Sequence, residues 1–248
     1  MSVRFTYYGG MCVLIERSDG FKILCDPYID NDVNQNKALS QFDDVNLILV
    51  THAAFDHYGQ LEDIMPRNRA VLMAGGDVRR MLLKACPDIE SGRLYKMVYG
   101  DERTFDQSVV RPVFAMHVSA SAPQGVSVTS PPYGFIVQVE QNVCYYHTGD
   151  TFLFSDMKLI RDLYKPNVMV VGISRMGAKY PCELTTREAA IAVSWVAPDV
   201  VIPSHYPAGS PALDEFKAHL KSFAPATLVR DGVNKTFEYS PFQCRDVE

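Results

Sequence analysis

Short apolar blocks alternate with polar ones along most of this chain, and their character shifts from strand-rich, through mixed, to α/β. Residues 3–8, 11–16 and 21–25 are β-rich runs separated by Gly9-Gly10 and Asp19-Gly20. An Asp-Gly pair between two apolar runs predicts a hairpin. Asp26-Pro27 ends the third run, and the polar, Asn-rich residues 30–41 read as a surface loop. A buried strand is predicted over 46–51 and a short helix over 61–65, stopped near Pro66. A strand follows at 70–73, and 77–86 carries Val78, Met81, Leu82 and Ala85 at helical spacing. Residues 94–98 and 109–117 read as strands, and 133–140 with 143–147 as a hairpin. Between them, 119–132 is rich in Ser, Pro and Gly and long for a plain connector; such loops often cover binding sites. The last third predicts helices over 155–164 and 185–197, strands over 167–173, 200–203, 226–230 and 235–239, and a helix opening at Ser210-Pro211. Thr185 and Glu188 have the form of a capping box, and Ser210 with Pro211 that of a cap and first turn. With no internal repeat and no low-complexity linker, residues 1–248 are expected to form one domain.

Composition narrows the functional classes. Of 248 residues, 47 % are apolar and 21 % charged, which is ordinary for a globular protein able to bury a core without disulfides. The net charge is −5 and there is no run of Lys or Arg. Gripping nucleic acid needs clustered cations, so no nucleic-acid partner is expected. No apolar window is long enough for a membrane span, and the first eight residues lack the apolar core of a signal peptide. A cytoplasmic location is therefore expected. The six cysteines (12, 25, 86, 144, 182 and 244) form no C-x-x-C pair and read as reduced thiols, with Cys12, Cys25 and Cys144 in strand-like runs.

Candidate chemistry is concentrated after the strands. In Thr51-His52-Ala53-Ala54-Phe55-Asp56-His57, two imidazoles and a carboxylate lie within six residues, where the run 46–50 ends and a loop begins. Imidazole nitrogen and carboxylate oxygen are ligands that borderline-soft divalent metals accept. His117 ends the run 109–116, Asp150 follows 143–147, and His205 follows 200–203. Taken singly, each is an ordinary turn residue; with Asp26 after 21–25, the recurrence just past five strands argues for a shared metal site. Asp26, after 21–25, either shapes the turn before Pro27 or accepts a hydrogen bond that orients a ligand imidazole. His219 sits inside a predicted helix and reads as solvated or packed.

Together Asp26, His52, Asp56-His57, His117, Asp150 and His205 resemble the metallo-β-lactamase fold superfamily in order and spacing across nearly the whole chain. The runs Tyr146-His147-Thr148-Gly149-Asp150-Thr151 and Pro203-Ser204-His205-Tyr206 look most like its branch of ascorbate-6-phosphate lactonases and related L-ascorbate metabolism hydrolases. The resemblance implies an αββα four-layer sandwich, two mixed sheets face to face with helices outside. It also implies a metal-dependent hydrolase in which water activated by Zn or Mn attacks a small-molecule lactone, ester or amide. The family signature is His-x-His-x-Asp-His. One metal position would use Asp56, His57, His205 and Asp150; the other would keep His52, His117 and the bridging Asp150.

The chain departs from that signature at Ala54, which offers no electron pair where the middle His belongs. One firmly held ion is expected, with a second able to bind if water or another side chain fills the gap. His52 and His117 would then orient substrate or polarise its carbonyl, while Asp56 or Asp150 holds the nucleophile. Rival readings are a phosphodiesterase or nuclease of the same fold, or a non-catalytic binding protein. A second departure is the run Gly172-Ile173-Ser174-Arg175-Met176-Gly177-Ala178-Lys179-Tyr180, where the branch carries a Gly-Gly-His turn. Ser174 and Arg175 contact an anionic substrate group or belong to a solvated loop. Tyr206 reaches substrate or packs, and His147 holds Asp150 or a loop. Ala74-Gly75-Gly76-Asp77 matches no phosphate motif and reads as a turn and cap. Self-association into a homo-oligomer stays open.

Overall fold

Hairpin and helix signals translate into two sheets, each with helices packed on it. The computed structural model describes residues 2–31, 37–119, 129–175, 183–241 and 243–247. Cys182, residues 120–128 of the long loop and residues 176–180 of the second departure lie outside them. In chain order the first strands are β1 Val3–Gly9, β2 Cys12–Glu16, β3 Lys22–Cys25, β4 Leu47–Val50, β5 Val71–Ala74, β6 Leu94–Lys96, β7 Arg103–Phe105 and β8 Ser108–Phe114. They continue with β9 Tyr133–Glu140, β10 Val143–His147, β11 Val168–Gly172, β12 Val200–Ser204, β13 Leu228–Val229, β14 Lys235–Ser240 and β15 Gln243–Val247. The α-helices are α1 Phe55–Tyr58, α2 Leu61–Ile64, α3 Gly76–Ala85, α4 Met157–Tyr164, α5 Thr186–Val196 and α6 Ala212–Phe223.

The chain divides into two compact units. The first comprises Met1–Asp101, Val118–Pro132 and Val233–Glu248. Its sheet runs β15-β14-β1-β2-β3-β4-β5-β6, antiparallel as far as β3 and parallel from β3 to β6. Strand β4 is buried at all four positions, as continuous apolar runs in parallel sheets are. Leu24, Ile48, Val50, Leu72 and Ala74 form a core with Leu61 and Ile64 of α2 and Val78 and Leu82 of α3. Each of the Leu, Ile and Val side chains contributes about 1.5–3 kcal/mol by leaving water.

The second unit comprises Glu102–His117 and Tyr133–Gly232. Its sheet runs β13-β12-β11-β10-β9-β8-β7, antiparallel from β7 to β10 and parallel from β10 to β13. Ile136, Tyr146, Met169, Val171 and Val201 meet Met157 and Ile160 of α4, Ala189, Ala190 and Val193 of α5, and Phe216 and Leu220 of α6. Each sheet thus switches from antiparallel to parallel at one strand, β3 or β10. The candidate residues follow the carboxyl ends of those strands and their neighbours, which is where ligands gather in open α/β sheets.

Several local expectations need correction. Strand β8 stops at Phe114, so His117 lies three residues beyond the strand instead of ending it. Residues 55–58 are one helical turn, not loop. The short helix expected over 61–65 forms over Leu61–Ile64 and ends just before Pro66, but a 3-10 segment follows directly and holds Pro66 in its first turn, where its missing N–H costs nothing. Ser210 does not cap α6; Pro211 occupies the cap position, with no side-chain cap bond. The Thr185–Glu188 capping box forms as the sequence predicts, with both reciprocal bonds present.

Candidate functional site

In the first unit, the site residues are organised around one buried carboxylate. Asp26 directly follows β3 and is fully buried, with φ +44°. A non-glycine residue rarely adopts this left-handed conformation, and Asp tolerates it better than most. The conformation sets its carboxylate beside the end of β4. Oδ1 accepts the Thr51 backbone N–H at 2.8 Å, and Oδ2 accepts the Thr51 hydroxyl at 2.8 Å. Oδ2 also lies 2.7 Å from His57 Nδ1. Thr51 Oγ1 is 3.1 Å from both His52 Nδ1 and His57 Nδ1.

These contacts assign the imidazole tautomers. An ionised carboxylate only accepts, so His57 carries its proton on Nδ1. Thr51 has one hydroxyl proton and gives it to Asp26, so toward His52 its oxygen accepts, and His52 too is protonated on Nδ1. Both rings, with centroids 4.1 Å apart, therefore carry their lone pair on Nε2, the atom a metal requires. Asp56 lies in the first turn of α1 and is half-buried. Ala54, which precedes the turn, carries no side-chain donor and offers α1 only its carbonyl, which accepts from His57 N and Tyr58 N.

Asp77 also bears on this loop, a role its reading as turn and cap missed. Within the run 74–77 the cap of α3 is Gly75, as the reading of a turn and cap expects. Asp77 Oδ2 accepts the Ser119 hydroxyl at 2.5 Å and the Ser130 N–H at 2.9 Å, and Ser119 Oγ accepts the Ala53 N–H at 3.2 Å. One buried carboxylate thereby fastens both flanks of residues 120–128 and, through Ser119, the backbone between His52 and Ala54.

In the second unit, Asp150 follows a tight turn. Gly149 has φ +58°, and its N–H donates to Nδ1 of the fully buried His147 at 3.1 Å. His147 thus braces the turn that presents Asp150. Thr151 Oγ1 accepts Met116 N at 2.9 Å, and Phe152 N donates to Met116 O at 2.9 Å. These bonds tie the Asp150 segment to the His117 segment, leaving His117 Nε2 3.7 Å from Asp150 Oδ2. His205, directly after β12, has φ +52°, and its Nε2 lies 3.5 Å from the same oxygen. Its Nδ1 lies 3.5 Å from Glu183 Oε2. Gly172, paired with Ser204 across β11 and β12, leaves room for His205; a Cβ there would lie 3.4 Å from that of His205.

Glu183 was absent from the expected set. It belongs to no motif, and its partner His205 is 22 positions away, so only the fold brings the two together. Arg175, read as a substrate contact or a solvated cation, donates from Nε to the Glu183 carbonyl at 2.9 Å and pairs with Glu188 at 3.2 Å. Partial burial pushes the Glu188 carboxyl up, but bonds from Thr185 and the Arg175 charge hold it below its ordinary value overall. Ser174 is half-buried at the end of the described segment. Tyr206 packs against the core of its unit, where burial raises its hydroxyl pKa.

Within each unit, taken by itself, the imidazole nitrogens and carboxylate oxygens are of the chemical type that a first-row divalent ion accepts. Comparison with known proteins agrees. A family model described as "Beta-lactamase superfamily domain" matches residues 22–206. The chain belongs to the metallo-β-lactamase superfamily. A metallo-β-lactamase relative named UPF0173 metal-dependent hydrolase, from Thermodesulfovibrio yellowstonii, is 33 % identical over 215 residues, 83 % of this chain and 79 % of that protein. Another of the same name, from Thermococcus kodakarensis, is 33 % identical over 93 % of this chain and 97 % of its own length. Among solved structures, the metallo hydrolase Igni18 of Ignicoccus hospitalis has a TM-score of 0.80 at 25 % identity, covering 97 % of this chain and 99 % of that one. An isothiocyanate hydrolase from Delia radicum gut bacteria shares the metallo-β-lactamase fold at a TM-score of 0.67 and 13 % identity. Two mixed sheets with helices are the architecture this superfamily fold requires.

Proposed function

We propose that this protein is a metal-dependent hydrolase acting on a small-molecule lactone, ester or amide. The observation that carries the reading is the Asp26–Thr51 network, which fixes two imidazoles with Nε2 lone pairs beside a half-buried aspartate. Relatives named metal-dependent hydrolases support the reaction class. Likeness of the segments around Asp150 and His205 to the ascorbate-6-phosphate lactonase branch supports a carbonyl substrate.

Asp56, His57, Asp150 and His205 would hold one Zn or Mn ion. Such an ion lowers the pKa of bound water to about 7 and so provides a nucleophile at neutral pH. Asp56 accepts a hydrogen bond from the attacking water and orients it. His52 and His117 orient the substrate carbonyl. Asp26, by keeping the proton on His57 Nδ1, maintains that ring as a donor of electrons. Ala54 supplies nothing, so this ion is the tightly held one; a second, weaker ion would draw on His117 and Asp150, with His117 then a ligand in place of a substrate contact. Cys12, Cys25, Cys86 and Cys144 are free thiols, which supports a reducing compartment such as the cytoplasm. No helix among the described residues is long and apolar enough to cross a membrane.

The test is metal analysis of protein purified without chelator, followed by a panel of lactones, esters, amides and phosphodiesters assayed with zinc and with manganese. Asp56→Ala and His205→Ala should each abolish metal retention and turnover. Full occupancy in either variant contradicts the ligand assignment, and turnover of phosphodiesters alone contradicts the substrate class.

A further inference from the structure

Glu183 lies outside the ligand set just proposed, yet its surroundings are those of a ligand. Its side chain is 13 % exposed, immediately ahead of the capped start of α5. Its backbone is held in place by Arg175 Nε, which donates to its carbonyl at 2.9 Å. The Glu183 carboxylate, His117 and Asp150 each offer a donor atom, and these three atoms all lie within 4.8 Å of one another. Side chains bound to a common ion stand at such separations, because each ligand sits about 2.0–2.2 Å from the metal. Two carboxylates so close in largely buried surroundings repel each other, and a divalent cation between them turns that repulsion into attraction.

We infer that Glu183 is a carboxylate metal ligand, acting with His117 and Asp150 on the second unit. This inference rests on the reading of the chain as metal-dependent. Two carboxylates and one imidazole form a harder donor set than clusters of imidazoles. Oxygen-rich sets of this kind suit Mn²⁺, whereas imidazole-rich sets suit Zn²⁺. The ion drawn to Glu183 is therefore of the Mn²⁺ class. The competing role for Glu183 is to accept the Nδ1 proton of His205, 3.5 Å away, and so orient that ring.

Glu183→Gln separates the two roles. A glutamine oxygen still accepts an N–H, but the neutral amide is a poor ligand. Full-length wild type and variant would be titrated with Mn²⁺ alone, reading free Mn²⁺ by electron paramagnetic resonance and bound metal by elemental analysis, with melting curves as the folding control. Glu183→Gln should weaken Mn²⁺ binding by roughly tenfold or more, as loss of groups around metal sites commonly does. Glu183→His should restore binding and shift preference toward Zn²⁺. Mn²⁺ binding by Glu183→Gln within twofold of wild type, alongside weak binding by Glu183→Ala, would overturn the inference and leave Glu183 as an acceptor for His205. Failure of the underlying reading looks different: wild type itself would then take up neither metal.

Discussion

Replacing Asp26 gives the sharpest test of how the first unit builds its imidazole pair. The carboxylate is fully buried and accepts three bonds, from Thr51 N, Thr51 Oγ1 and His57 Nδ1. Asp26→Ala leaves those donors facing a small void. A buried donor without an acceptor costs about 1–3 kcal/mol, and breaking a buried charged network about 3–5 kcal/mol. The three losses share one group and do not add independently. Alanine also tolerates φ +44° less well than aspartate, a further penalty of up to about 1 kcal/mol. A total near 4 kcal/mol corresponds to a fall in Tm of roughly 8–16 °C for a chain of this length. Asp26→Asn should behave differently. Its oxygen still serves Thr51 N, but its amide nitrogen donates toward His57 Nδ1 and drives the proton to Nε2. Stability should then fall modestly while metal affinity drops about 10–100-fold. Calorimetry measures the first effect, metal titration the second, and ¹⁵N NMR of the imidazoles the tautomer. An Asp26→Asn protein with His57 still protonated on Nδ1 and unchanged metal affinity would refute the reasoning.

Three other perturbations test separate parts of the structure. Arg245 and Arg4 hold the Glu238 carboxyl down to about 2, tying β15, β14 and β1 together. Because the folded value lies below the unfolded one, this contribution is complete above about pH 4.3 and is lost as pH falls toward 2; Glu238→Gln should flatten that acid limb in urea melts, and an unchanged profile would count against it. Gly134→Ala would put a Cβ 2.9 Å from His147 O and 3.1 Å from Thr148 O, backbone atoms of the turn before Asp150. It should cost about 1–3 kcal/mol by overpacking, and a Tm equal to wild type would show that β9 yields freely. Tyr146 is fully buried, and its hydroxyl finds no acceptor among the described residues; Tyr146→Phe should therefore match or exceed wild-type stability, and a loss above about 1 kcal/mol would mean the hydroxyl is bonded after all.

The parts of this molecule legible in the sequence are those whose cause is local. The Asp19-Gly20 hairpin, the apolar run of β4 and the Thr185–Glu188 box each depend on neighbours a few positions away, and each forms. Histidines and aspartates recurring after strands marked the candidate residues for the same reason. What stayed hidden depends on distant partners or marginal signals. The helical turn at 55–58 is too short for any periodicity to reveal. Strands β7 and β15 end the two sheets and carry mixed, partly exposed residues such as Arg103, Arg245 and Asp246, with no apolar alternation. Pro211 is equally at home in a first turn or just before one. Asp77 and Glu183 resemble any acidic residue near a helix start until the fold sets Ser119 or His205 beside them.

The hairpin at Gly20 is the blank end of β3. Nothing lies within 4 Å of a Cβ built there, and the turn closes on itself, through backbone bonds of Arg17, Gly20 and Phe21 and through the Asp19 carboxylate, which accepts from Phe21 N and Arg17 Nε. Six steps of extended chain, up to about 20 Å, separate it from Asp26. Foreign sequence spliced between Asp19 and Gly20 would hang into water without tugging on the donor network. That junction is a natural handle for immobilising the protein or attaching a fluorophore while its chemistry stays untouched at the far tip of the same strand.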